Sequence, residues 1–180
     1  MTRIFGLSGS LRRKSFNAAL LKAASEEMPG GASLEIGSIA DVPLYNADLE
    51  ADGVPAAVLD LRARIEAADG LLLSTPEYNN GIPGVFKNAL DWVGSGPGAA
   101  VFKGKPVAVI GASPGGFGTI MAQTHWLQVL RALQARQYHE GRLMVSGVRK
   151  LVDDAGEVVD AETRGRLATF LEGFVDWTRG

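Results

Sequence analysis

Gly70-Leu71-Leu72-Leu73-Ser74-Thr75 is uncharged throughout, with three leucines in a row, and is followed at once by Pro76-Glu77-Tyr78-Asn79-Asn80-Gly81, a run of turn residues. A short, largely apolar segment closed by such punctuation is what a strand covered on both faces requires. Downstream, Pro106-Val107-Ala108-Val109-Ile110 repeats the pattern and is closed by Ser113-Pro114-Gly115-Gly116-Phe117-Gly118. Upstream, Ile4-Phe5-Gly6-Leu7 is a shorter version closed by Ser8-Gly9-Ser10.

Helical patterns fill the spaces between these strands. Residues 16–28 carry Phe16, Ala19, Leu20, Ala23 and Ala24 at helical spacing before Pro29-Gly30-Gly31. Residues 55–68 place Val58, Leu61 and Ile65 on one face, with Pro55 suited to the first turn. Further helices are expected over residues 85–93, 119–133 and 161–178. Leu34-Glu35-Ile36 reads as a second strand, and residues 142–146 contain a weak fifth. Residues 39–52 are expected to be a loop, and residues 94–98 a flexible connection.

Strands that alternate with helices imply βαβ units and a parallel sheet. Five strands with helices on both faces lead to an α/β, flavodoxin-like, three-layer doubly wound sheet in the order 2-1-3-4-5. The 180 residues suit one domain spanning 1–180, with no linker long enough to divide them.

Composition narrows the chemistry. The chain contains no cysteine, which rules out disulfides, thiolate catalysis and zinc–thiolate sites. The net charge of -2 comes without a polybasic run, so nucleic acid and anionic membranes are not expected partners. No apolar stretch approaches the roughly 20 residues of a membrane span, and the N-terminus lacks a signal-peptide core. A cytoplasmic protein is expected. No histidines or carboxylates show metal-ligand spacing, so no metal site is assigned. His125 is assigned to packing or solvent exposure and His139 to a structural role. Trp92, Trp126 and Trp177 sit at helical positions, where packing is the default.

Ligands of open α/β sheets bind beyond the carboxyl ends of the strands. Three polar or glycine-rich loops lie there: residues 8–17, 76–83 and 112–118. The first offers the hydroxyls of Ser8, Ser10 and Ser15, the Arg12 guanidinium and the Asn17 amide, and it leads into a helix start that favours an anion. A capped turn with solvated basic residues is the plainer reading of the same stretch. The loop lacks both Gly-x-Gly-x-x-Gly and the Gly-Lys-Ser/Thr ending of a nucleotide loop. In the second loop, Tyr78 could lie against a planar ring, and Asn79 and Asn80 could bond its edge. The same residues would also make a rigid turn. Glu77 is expected to order this loop rather than act as a general acid. The third loop is open enough for close backbone approach to a ligand, a weak signal alone.

At these loops the sequence resembles the NADPH-dependent FMN reductase family, which includes bacterial quinone, chromate and azo-dye reductases. The resemblance rests on Gly9-Ser10-Leu11-Arg12 with Ser15-Phe16-Asn17, on Pro76-Glu77-Tyr78-Asn79, and on Lys87-Asn88-Ala89-Leu90-Asp91-Trp92. Ile39-Ala40-Asp41-Val42-Pro43-Leu44-Tyr45 also looks like the family's loop after the second strand. It implies that Ser10, Leu11, Arg12, Arg13, Lys14, Ser15, Phe16 and Asn17 surround the FMN phosphate, with Ser10, Arg12, Ser15 and Asn17 as side-chain donors. Pro76, Glu77, Tyr78, Asn79, Asn80 and Gly81 would border the isoalloxazine, and Ser113 would lie near it. The implied activity is ping-pong hydride transfer from NADPH or NADH to FMN and then to a quinone, chromate, azo dye or free flavin. The flavin carries the chemistry, so no catalytic side chain is expected.

Relatives commonly form homodimers or homotetramers, which makes Asp91, Trp92 and the helix after residue 118 candidate interface residues. Three positions depart from the family pattern. Lys14 stands where small residues are frequent, Gly81 where some members carry serine, and residues 94–98 are glycine-rich where relatives often have a basic residue. The alternatives are a flavodoxin-type electron carrier without its own substrate, and a flavin-free regulatory domain. Near-neutral charge and Arg12-Arg13-Lys14 argue against the carrier.

Overall fold

The computed structural model describes residues 1–180. Its centre is a parallel sheet in the order β2-β1-β3-β4-β5, formed by β1 (Thr2–Ser8), β2 (Ala32–Gly37), β3 (Gly70–Ser74), β4 (Pro106–Ala112) and β5 (Arg136–Gln137). A sixth segment, β6 (Leu143–Val145), pairs with β4 beyond β5. The helices are α1 (Phe16–Glu26), α2 (Ala47–Asp52), α3 (Ala56–Ala67), α4 (Gly84–Val93), α5 (Ile120–Ala132) and α6 (Ala161–Arg179).

Successive strand residues face opposite sides of a sheet, and the central strands are apolar at both parities. Ile4, Leu72, Ala108 and Ile110 therefore pack under α1 and α6 with Leu20, Leu21, Leu167, Leu171 and Phe174. Phe5, Leu7, Leu71, Leu73 and Val107 pack under α3, α4 and α5 with Leu61, Phe86, Trp92 and Trp126. Each fully buried side chain of this size stabilises the fold by roughly 1.5–3 kcal/mol. The doubled core is what a strand apolar at both parities, such as β3, anticipates.

Three expectations need correction. Residues 39–52 are not wholly loop. The Asn46 side chain accepts the Asp48 N–H at 2.9 Å and starts α2, so a residue that reads as turn-forming serves as a helix cap. Residues 94–98 are not a free connection either. A 3-10 helix runs over Gly96–Phe102, and Arg62 on α3 holds its approach by donating to the carbonyls of Trp92, Val93 and Ser95. Third, the fifth sheet position is shared. β5 pairs with Pro106 and Val107, while β6, inside the expected span 142–146, pairs with Ile110, Gly111 and Ala112. Two-residue β5 has no periodicity to detect.

Candidate functional site

The chain runs from β1 out to β2 on one side and from β3 out to β4 on the other, so a crevice opens between the carboxyl ends of β1 and β3. One groove there is lined by Ser10, Arg12, Ser15, Phe16 and Asn17 from the first loop, Pro76, Glu77 and Tyr78 from the second, and Ala112, Ser113 and Pro114 from the third. Three loops separated by up to about a hundred residues thus form one site, as their places after apolar strands anticipate.

The first loop leaves β1 through Gly9, whose N–H donates to Ser74 O at 2.9 Å. A methyl at Gly9 would overlap the ring of Phe86. Ser15 then caps α1, its Oγ accepting the Ala18 N–H at 3.2 Å. Phe16 and Asn17 are the first helical positions, and their N–H groups have no acceptor within the helix. The Arg12 guanidinium bends back to donate to Lys14 O at 2.7 Å and lies over the Phe16 ring. Leu11, Arg13 and Lys14 are exposed.

Asn17 has a structural role that its sequence position does not announce. It is 3 % exposed, and its amide is bonded to β3 and β4. Nδ2 donates to Ala112 O and Oδ1 accepts the Ala112 N–H, both at 2.9 Å, while Ser74 Oγ donates to the same Oδ1. The side chain is therefore a brace between α1, β3 and β4, which takes up its Oδ1 and one of the two Nδ2 hydrogens. Its backbone N–H remains part of the helix start.

The second loop is a tight turn closed by reciprocal bonds between Tyr78 and Gly81. Asn79 and Asn80 hold φ of 49° and 61°, the signature of a type I′ turn, which asparagine tolerates. Their side chains and that of Tyr78 are exposed. Glu77 Oε2 accepts the N–H groups of Met121 (2.9 Å) and Ala122 (3.0 Å), so Glu77 ties the turn to the start of α5. That matches its expected ordering role. In the third loop, Ser113 Oγ donates to Gly118 O and Ser113 N–H donates to Val145 O at 2.9 Å.

The loop after β2 is clipped to α4. Asn88 Nδ2 and Trp92 Nε1 both donate to Pro43 O at 2.8 Å, and Asn88 Oδ1 accepts the Tyr45 N–H at 2.8 Å. Two of the motifs that carried the resemblance are therefore bonded partners. Trp92 is fully buried, which removes it from the candidate interface, whereas Asp91 is exposed and paired with Lys87. Glu50 on α2 accepts from Ser95 Oγ and Tyr45 OH and faces Arg62. Those partners hold its carboxyl below the ordinary glutamate range, led by the Ser95 hydroxyl, and the Glu50 contact raises the Tyr45 phenol.

His125 is exposed, and its Nδ1 lies 3.8 Å from where a Gly81 side chain would begin. His139 is exposed beside Trp177. Sequence reading missed Arg149 and the hairpin after it. They line a cleft with the first loop from more than a hundred residues away, and no local pattern announces that neighbourhood.

The NADPH-dependent FMN reductase model matches residues 2–150. The chain is 42% identical over 177 residues to an NAD(P)H-dependent FMN reductase of Pseudomonas aeruginosa, covering 98% of this chain and 95% of that one. It is 39% identical to a 2-hydroxy-1,4-benzoquinone reductase of a Burkholderia species, covering 95% and 93%. The solved structure of FerB, a flavoenzyme NAD(P)H:(acceptor) oxidoreductase from Paracoccus denitrificans, superposes with a TM-score of 0.89 at 36% identity, covering 99% and 98%. A fold match of that extent, a family match across most of the chain and loops that converge in one groove agree: the chain belongs to the NADPH-dependent FMN reductase family.

Proposed function

We propose that the protein is an FMN-dependent NAD(P)H oxidoreductase that reduces quinones, with the groove at the carboxyl ends of β1, β3 and β4 as the flavin site. The observation that carries this reading is the convergence of an anion-favouring helix start and a rigid, exposed turn in a single groove. The donor set fits FMN. Unpartnered N–H groups at Phe16 and Asn17, the Ser10 and Ser15 hydroxyls and the Arg12 guanidinium suit a phosphate. The backbone of Pro76–Gly81 and the Tyr78 ring suit the edge and face of a flat heterocycle. The chemistry supplied by FMN when bound is hydride acceptance from NAD(P)H and two-electron delivery to a quinone.

The chain's own residues position and shield. Asn17 and Glu77 hold the loops at fixed separations, which preorganises the site. Tyr78 offers an exposed ring edge to the acceptor side. A carrier without its own substrate is not favoured, because the similar proteins are named as reductases. The reading extends to chromate, azo-dye or free-flavin acceptors, to a homodimer or homotetramer, and to the cytoplasm, where NAD(P)H is regenerated. No helix is long and apolar enough to cross a membrane.

The test is FMN-reconstituted protein assayed with NADH and NADPH against a quinone panel. Parallel double-reciprocal plots are expected. Absence of turnover by protein that has bound FMN would refute the enzyme reading, and failure to quench FMN fluorescence would refute the site.

A further inference from the structure

On the far side of the first loop lies a second cleft of about 810 Å³, within the range of sites that take nucleotide-sized ligands. Arg12, Arg13, Lys14 and Arg149 line it, together with Asp153 and Asp154. None of the four cations pairs with a carboxylate within ion-pair distance, although two carboxylates share the cleft. Asp153 is engaged elsewhere: its Oδ1 accepts the Glu157 N–H at 2.8 Å and shapes the hairpin that forms the outer wall.

Both walls are anchored. The turn that carries Arg149 is fastened to the third loop, with Gly147 N–H donating to Gly115 O at 3.0 Å and Val148 N–H donating to Ser113 O at 3.2 Å. The hairpin is tied to α1 by the Lys22–Glu157 ion pair. The cleft is also continuous with the flavin groove, since Arg12, Ser15 and Phe16 line both.

With Arg12 given to the flavin phosphate, the three remaining cations, Arg13, Lys14 and Arg149, have no carboxylate partner and favour a dense anion. Two carboxylates beside them disfavour a bare one and suit hydroxyl donors. The ligand chemistry that satisfies both is a ribose carrying a phosphate monoester. We infer that this cleft binds the 2′-phosphorylated adenosine end of NADPH, with Arg149 as the specificity-determining cation. The inference rests on the reductase reading, which supplies a nicotinamide dinucleotide. It assigns the charge of Lys14, unusual for the family pattern, to choosing between NADPH and NADH. Arg12 stays with the flavin phosphate.

The same phosphate chemistry could come from FMN itself, so the probes separate the two sources. Adenosine 2′,5′-bisphosphate is titrated into FMN-loaded protein by calorimetry, with adenosine 5′-monophosphate as control. The bisphosphate is expected to bind at least tenfold more tightly, to leave FMN in place and to compete with NADPH. In Arg149→Ala the bisphosphate affinity falls about tenfold, the loss of one charge-assisted bond. The ratio of KM for NADPH to KM for NADH rises by the same factor. Arg149→Lys restores part of both.

An unchanged KM ratio in Arg149→Ala, no bisphosphate binding, or displacement of FMN by the bisphosphate overturns the inference. Failure of the flavin reading is distinguishable. It shows as absent FMN quenching, while the bisphosphate titration on flavin-free protein still reports on the cleft.

Discussion

Asn17 holds both backbone groups of Ala112, donating to its carbonyl and accepting its N–H at 2.9 Å each. Removing the side chain strands two buried backbone groups at the end of β4. Asn17→Ala is therefore expected to cost about 2–3 kcal/mol of stability. Urea unfolding of flavin-free protein checks this, because a residue that served only the phosphate would leave flavin-free stability unchanged.

Glu77 spans the second loop and α5 through two bonds from one oxygen. Glu77→Ala should lose about 1 kcal/mol, the usual worth of a helix cap, and should speed amide exchange at residues 77–81 and 121–122. A positioning role also requires that Glu77→Gln keep the pH profile of kcat. A displaced profile would restore the general-acid reading.

Arg12 carries the side-chain charge of the proposed phosphate site. Arg12→Ala should weaken FMN binding about tenfold or more and leave riboflavin binding unaltered. Fluorescence titration with both flavins reads the difference, and equal losses for the two would remove Arg12 from the phosphate.

The Glu50 carboxyl is held below its ordinary range by Ser95, Tyr45 and Arg62. A lowered folded-state value means stability that is present above the unfolded glutamate value and lost as pH falls through the folded one. The stability difference between the native protein and Glu50→Gln should therefore shrink on acidification below the ordinary glutamate range. Thermal melts at a series of pH values measure it; a gap that widens toward acid contradicts the network.

Ile120, Met121 and Leu127 are exposed apolar residues on α5, the helix whose start Glu77 caps. With Trp92 buried, α5 is the better candidate for contact between copies. Light scattering should give a dimer or tetramer at micromolar concentration, shifted toward monomer by Leu127→Glu. A monomeric native protein would remove the assembly.

Much of this was legible in order along the chain. The apolar runs at Gly70–Ser74 and Pro106–Ala112 announced strands covered on both faces, and the turn residues after them located the three loops. Such signals are local, because burial on both faces leaves no room for polar residues. The 3-10 segment after α4 was hidden because Arg62, from another helix, supplies what holds it. α2 was hidden because a cap and a turn use the same residue type.

The sequence by itself determined the layer order, the two core faces and the presence of an anion-favouring loop before α1. Those follow from periodicity and from residue chemistry within a few positions. Only the tertiary structure decided which way each polar side chain turns. Asn17 looks like a ligand donor in the chain, yet its amide also binds both backbone groups of Ala112, 95 residues away. Arg149 looks like an ordinary surface charge, yet it closes a cleft with Arg13 and Lys14. Hydrogen bonds and charge clusters join residues by distance in space, and one-dimensional spacing carries no record of it.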